Sequence, residues 1–484
     1  MTLSHPELLA EARRVLASFE IEQLRDRGLI PLGGEYFPAI FYPPIPFCPP
    51  GSDEDLFRAP RAAAERPLSF YVHVPFCPGK CVYCHWTVTA GASLREMEAY
   101  LAAVDQELAI YQTRFGGAIA SPRSILIGGG TPTMLPARLI DALFAILRRR
   151  LDLSQCAQII CEAEPATVLG EDGFAKLESL RANGVRRLSF GVQTFDDATL
   201  RAMGRHHTSL DAVRAVEAAR RAGFPTISLD LLYGFPGHSL DAWLGTLGTA
   251  LALDVDACQI YRLRIVPHGD KEGAIRTLHA RAPASFPAWS EVLLMKEASI
   301  LYCRERGFCE TSRRVFSRGS RHDSAYLKDH NDRLADVLGV GISSWSSIQG
   351  HLSINTSRSM AAYYAPLSQG RLPIDRCMAR SAEDTCRWAL VLPLKHHGVV
   401  KDYYQAVTGR NATAVFGKKI RALKEFGLLE ETDSTIRLTP KGRFFADEVV
   451  LQFYDPQFLP FPKASYADGV LSPHNDNRVD GGEG

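Results

Sequence analysis

Three cysteines stand within eight residues: Cys77, Cys81 and Cys84, in Tyr71-Val72-His73-Val74-Pro75-Phe76-Cys77-Pro78-Gly79-Lys80-Cys81-Val82-Tyr83-Cys84. The spacing is Cys-x3-Cys-x2-Cys. Thiolates this close converge on one metal centre only if the loop curls around it, and Pro78-Gly79 supplies a turn. Soft thiolates suit zinc or an iron–sulfur cluster. A structural zinc wants four ligands, normally as two separated pairs. Here the fourth is missing locally, and His73 and His85 are the histidines near enough to offer one. An incomplete ligand set leaves a metal position open to a substrate, as in catalytic zinc sites.

Other residues suited to binding lie further along. Gly128-Gly129-Gly130-Thr131 lets a backbone approach a ligand closely, although any tight strand-to-helix turn uses such a run. Glu162, in Cys161-Glu162-Ala163-Glu164-Pro165, offers a carboxylate to hydroxyl or ammonium groups. Glu164 reads as a helix-start carboxylate favoured by the dipole. Gln193, Arg205 and Asp230 complete the set of polar candidates. His206 and His207 read as surface or capping residues.

The elements that must position these groups alternate. Short β-branched or aromatic runs recur at 68–74, 124–127, 157–161, 186–192, 226–233 and 258–265. Helical spacing separates them: Leu94, Met97, Leu101, Val104, Leu108 and Tyr111 share one face, as do Leu139, Leu143 and Ile146. These faces are expected in the core. Strand–helix alternation implies a parallel sheet with right-handed crossovers, and six units fit an open, partial barrel rather than a closed one of eight. In such barrels, residues at the C-terminal ends of strands serve function, and the glycine run, Glu162, Gln193 and Asp230 fall at or near such ends.

The expected organisation has five parts. Residues 1–66 form a proline-rich N-terminal brace, 67–300 the α/β core, and 301–379 a segment closing the barrel. Residues 380–460 form a mostly helical, winged-helix-like block, and 461–484 a flexible tail. A helix near Glu383–Leu392 should stop at Pro393. Phe444, Phe445 and Tyr454 are candidates for pocket walls or core.

The chain has 484 residues, 55 basic and 54 acidic side chains, and a formal net charge of +1. Near-neutrality argues against a nucleic-acid or acidic-membrane binder. The C-terminal block could belong to a regulator, but no basic face stands out in it. No apolar run suits a signal peptide or a membrane helix. The eleven cysteines are expected to be free thiols in a reducing cytoplasm.

Cys77, Cys81 and Cys84 resemble the motif of the radical S-adenosylmethionine (SAM) enzymes. The surrounding Tyr71-x-His73-x-Pro75-Phe76-Cys77 is similar to the subfamily of oxygen-independent coproporphyrinogen III oxidase, called HemN-like. The likeness runs over roughly residues 65 to 455. It implies a partial (β/α)6 barrel in which the three cysteines hold a 4Fe–4S cluster whose fourth iron chelates SAM. It also implies that Tyr71, His73, Gly128, Gly129, Gly130, Thr131, Glu162, Gln193, Arg205 and Asp230 bind the cofactor. One electron, from a donor such as flavodoxin or ferredoxin, then cleaves SAM to methionine and a 5′-deoxyadenosyl radical, which takes hydrogen from a small substrate.

Three outcomes occur in this group. The decarboxylase usually carries a further cysteine in Cys-x-Cys, where this chain has Cys84-His85-Trp86. Heme-binding chaperones carry a histidine motif ahead of the C-terminal domain, and His351 with Asn355 lies in that neighbourhood. Radical methyltransferases use two SAM molecules on heteroaromatic or tetrapyrrole rings. The N-terminal extension and the Cys-His-Trp variation favour C-methylation.

Overall fold

The six expected runs pair side by side in parallel. They are β1 (Leu68–Val74), β2 (Pro122–Gly129), β3 (Gln158–Ala163), β4 (Val185–Gln193), β5 (Thr226–Tyr233) and β6 (Ala257–Arg262). The computed structural model describes residues 3–58, 67–116, 119, 121–266, 269, 271–475 and 479. Later segments extend both edges of this sheet. β7 (Cys309–Ser312) and β8 (Val315–Ser317) add antiparallel strands beyond β6. On the other side β9 (Asp336–Val340) pairs in parallel with β1, followed by the antiparallel β10 (Trp345–Ile348), β11 (His351–Asn355) and β12 (Ile374–Ala379). Residues 301–379 therefore widen an open sheet at both edges, where sequence reading expects them to close it.

Amphipathic helices cover the sheet. In the helix Leu94–Arg114, Met97, Leu101, Val104, Leu108 and Tyr111 are buried, each stabilising the fold by about 1.5–3 kcal/mol. Leu94, expected on that face, is the first residue of the helix and is 45% exposed. The start is fixed by Ser93, whose hydroxyl accepts from Glu96 N while Glu96 reaches back to Ser93 N. Leu139, Leu143 and Ile146 are buried as expected.

The C-terminal block carries the helices Ala382–Leu394, Lys401–Thr408 and Ala412–Glu425, then the strands Leu429–Glu431 and Thr435–Leu438 paired antiparallel. Val399–Val400 adds a third strand, giving a winged-helix-like unit. The first of these helices does not stop at Pro393. That residue sits inside its last turn, where burial of Pro393 and Leu394 offsets the lost backbone donor. Phe444, Phe445 and Tyr454 are buried in the core of this block and do not wall the main cavity.

The N-terminal brace joins the two parts. Tyr36 Oη donates to Asp447 Oδ2 at 2.8 Å, Ala39 N donates to Asp447 Oδ1 at 2.9 Å, and Tyr42 Oη donates to Asp384 Oδ1 at 3.0 Å. Much of the expected flexible tail is packed as well. Tyr466 and Leu471 are buried, Leu471 N donates to Arg27 O, and Lys419 Nζ donates to Ser472 O at 2.7 Å. The apolar residues within this polar stretch reach the second core, which outweighs its composition. Most of 476–484 lies outside the described residues.

Candidate active site

Neighbouring strands hold side chains in rows, so register decides what meets. Tyr71 pairs with Leu126, Glu162 with Ser189, Gly191 with Asp230, and Asp230 with Gln259. All seven line one cavity of about 400 Å³ at the C-terminal side of the parallel strands. The same cavity takes in Cys77, Cys81 and Cys84 from the loop after β1, Gly129, Gly130 and Thr131 after β2, and Arg205 after the helix Asp197–Met203.

Backbone detail explains several of these placements. The ladder between β4 and β5 shifts register between Gly191 and Gln193, and Gln193 has φ +71°. This bulge and the left-handed conformation turn the Gln193 side chain into the cavity. The glycine run packs against the cysteine loop: Gly130 N donates to Val74 O, and Thr131 N donates to Phe76 O. A Cβ on Gly130 would lie 2.7 Å from Pro75 and Phe76 backbone atoms, so no side chain fits there.

Two expected cofactor residues do not reach the cavity. His73 is fully buried behind it, bonded to Tyr71 Oη through Nδ1 at 2.9 Å and to Thr87 O through Nε2 at 3.3 Å. Its period-two neighbour Tyr71 takes the lining position and His73 supports it. Gly128 lies against the Glu162 carboxylate, 2.6 Å from where its Cβ would be, and leaves that carboxylate room. Cys77, Cys81, Cys84, Tyr71, Gly129, Gly130, Thr131, Glu162, Gln193, Arg205 and Asp230 all line the cavity.

Two residues read as bland in sequence are part of the site's frame. Glu164 lines the cavity and is 4% exposed. It stands at the start of the short helix Pro165–Val168, as expected, and in addition His207 Nδ1 lies 2.7 Å from Glu164 Oε1 and Arg205 Nη2 lies 3.7 Å away. His207 is buried, not on the surface, its ring set between Glu164 and Val192 O; His206 is exposed and packs over Gly79. Arg205 also donates to Gly191 O at 2.5 Å and to Cys81 Sγ at 3.5 Å. His351 and Asn355 do not face the cavity. His351 Nδ1 meets Gln349 O, and Asn355 Nδ2 donates to Glu107 Oε1.

The donor set fits a cluster better than a single ion. Among the described residues, no trio containing these cysteines brings its ligand atoms within 4.8 Å of one another. A tetrahedral zinc would hold thiolate sulfurs about 3.8 Å apart, whereas a cluster presents a separate iron to each cysteine. Burial pushes the Cys84 thiol up to about 11, so its thiolate needs a cationic partner such as iron. Burial also pushes Glu162 and Asp230 up to about 7 each. Both carboxyls would be better satisfied by a ligand's ammonium or hydroxyl groups.

A second part of the wall escaped sequence reading. Arg262, Arg264, Arg313, Arg314 and Lys395 line it, together with the rings of Phe41, Tyr261, Tyr326, His330 and Trp345. The N-terminal brace holds several of these cations. Arg262 Nη2 donates to Gly34 O, Arg314 Nη1 to Tyr36 Oη, and Lys395 Nζ to Ala39 O. Arg313 pairs with Asp447. Burial, and then repulsion from Arg314, push Arg264 down to about 10 and Arg313 down to about 9. These residues are scattered from 41 to 395, so no local signal in the sequence groups them.

Comparison with known proteins accords with this geometry. Residues 71–250 match the radical SAM superfamily, and residues 389–445 match the HemN C-terminal domain. The chain is 29% identical to the heme chaperone HemW of Bacillus subtilis, over 76% of this chain and 94% of that one. It is 24% identical to the oxygen-independent coproporphyrinogen III oxidase of Synechocystis, over 80% of this chain and 84% of that one. The structure of coproporphyrinogen III oxidase (HemN) from Escherichia coli superposes with a TM-score of 0.69 at 24% identity, covering 80% of this chain and 90% of that chain, and shares the fold. Residues 71–250 thus form a radical SAM domain, a class that implies a 4Fe–4S cluster and SAM. Within that class its likeness is to the HemN-like subfamily, whose C-terminal domain matches residues 389–445. No described helix is long and apolar enough to cross a membrane.

Proposed function

We propose that this protein is an enzyme that directs a SAM-derived radical onto a carboxylate-bearing tetrapyrrole. The observation that carries this reading is one cavity with three parts: the cysteine loop, a set of buried carboxylates, and a wall of five cations interleaved with aromatic rings. Cys77, Cys81 and Cys84 would hold the cluster, which when bound supplies the electron that splits SAM into methionine and the 5′-deoxyadenosyl radical. Glu162, Gln193 and Asp230 would orient SAM through its amino and ribose groups, and Gly129 and Gly130 would let it lie against the backbone. Phe41, Tyr326 and Trp345 offer faces to a planar ring. Arg262, Arg264 and Arg314 suit peripheral carboxylates, because guanidinium groups pair with them in fork geometry. An anion there would also relieve the mutual repulsion among the buried cations.

The names of the relatives, heme chaperone and coproporphyrinogen oxidase, support a tetrapyrrole over other heteroaromatics. They lend no support to C-methylation with a second SAM, which sequence reading favours. The test is anaerobic reconstitution, reduction, and binding of coproporphyrinogen III and heme, followed by product analysis. The tetrapyrrole is expected to bind and to stimulate 5′-deoxyadenosine formation. Arg264→Ala should weaken that binding at least about tenfold while leaving substrate-free SAM cleavage intact. Failure of both tetrapyrroles to bind, or unchanged binding by Arg264→Ala, would refute the reading. S-adenosylhomocysteine would report methyl transfer, and carbon dioxide would report decarboxylation.

A further inference from the structure

Asp332, His396 and His397 form a compact group that the cavity chemistry leaves unused. One ligand atom from each lies within 4.8 Å of the others. His396 Nδ1 is 2.5 Å from Asp332 Oδ1, and His397 Nδ1 is 2.9 Å from Asp332 Oδ2. The two imidazoles stand nearly perpendicular, with centroids 4.1 Å apart. His396 is buried, whereas the His397 side chain is 51% exposed. Beside them is a separate pocket of about 260 Å³, lined by Asp332 and His397 with Tyr403 and Arg437.

We propose that these three side chains bind one divalent transition-metal ion, with zinc the best match. Two imidazoles and one carboxylate are the donor set of three-ligand zinc sites, in which water takes the fourth position. The adjoining pocket has room for that water. Both histidines present Nδ1 to the carboxylate, and an ion would bind there with each ring neutral and its proton on Nε2. A tetrahedral ion with bonds of about 2.0–2.1 Å separates its ligand atoms by about 3.3 Å. The group must therefore open slightly, and the exposed His397 is free to swing.

The position gives the site a role. Asp332 follows the helix Ala325–Asn331, whose His330 and Asn331 line the main cavity. His396 follows Lys395, another cavity residue, at the end of the helix Ala382–Leu394. An ion held here ties the α/β core to the C-terminal block directly behind the cavity wall.

The test begins with Cys77→Ser/Cys81→Ser/Cys84→Ser, which removes competing thiolates. Titration with zinc against a chromophoric chelator should show one tight ion per chain. Adding His397→Ala, or separately Asp332→Asn, should weaken it at least about tenfold. Cobalt(II) should give ligand-field bands without thiolate charge transfer. In the cluster-loaded parent, zinc should raise the unfolding temperature, and in its His397→Ala variant it should not. The absence of a stoichiometric ion, or equal zinc affinity with and without His397, would overturn the proposal.

Discussion

Arg205 meets three demands at once: it donates to Gly191 O, it reaches Cys81 Sγ, and it lies beside Glu164 Oε1, which His207 also contacts. A guanidinium satisfies several partners in fixed directions, and an ammonium does not. Arg205→Lys is therefore expected to assemble its cluster, with unchanged visible absorbance, but to form 5′-deoxyadenosine at least about tenfold more slowly. An unchanged rate would leave Arg205 only a structural role. The sequence places Arg205 near the site, but it hides Glu164 and His207. A carboxylate before a proline and a histidine after an arginine have bland local explanations, and the contact spans residues 164 and 207.

At the scale of elements, the small sheet of the C-terminal block is pinned by one carboxylate. Glu431 accepts from Lys401 Nζ, Lys424 Nζ and Thr413 Oγ1 at 2.7–2.8 Å. Burial pushes its carboxyl up, but these donors outweigh it and hold Glu431 down to about 2. A carboxyl whose folded pKa lies below its unfolded value of about 4.3 stabilises the fold above that value, and this stability fades as pH falls toward 2. Thermal unfolding followed from pH 6 to about 2.5 should show the parent losing more stability than Glu431→Gln over that acid range. Parallel curves would exclude the clamp. The helix–hairpin order of this unit is legible in the sequence, because turn residues and apolar spacing are local. The course of the helix through Pro393 is not, because packing of the last turn decides it.

Across the whole molecule, Asp447 connects brace, core and C-terminal block. It accepts from Tyr36 and Ala39 and pairs with Arg313 on the cavity wall. Asp447→Ala would leave a buried guanidinium without its carboxylate, which costs about 3–5 kcal/mol. It should lower the unfolding temperature and speed proteolysis of residues 3–58. Unaltered proteolysis would mean that the brace is held by its other contacts, such as Tyr42 with Asp384. The brace also carries the carbonyls that hold Arg262 and Lys395, so the same variant should weaken tetrapyrrole binding.

What the sequence determines by itself is local and periodic. Alternating apolar runs define the six strands and their helices, and Cys-x3-Cys-x2-Cys with the glycine run marks a candidate metal centre beside a close-approach loop. Spacing within a few residues is enough for these, because one turn or one pleat fixes the relative positions. Only the tertiary structure decides that His73 stands behind Tyr71, that the tail folds against Arg27, and that four arginines and a lysine share one wall. It alone gathers Asp332 to His396 and His397. Apart from Tyr71 and His73, those groupings join residues tens to hundreds of positions apart, and packing against other elements, not any pattern along the chain, sets their distances.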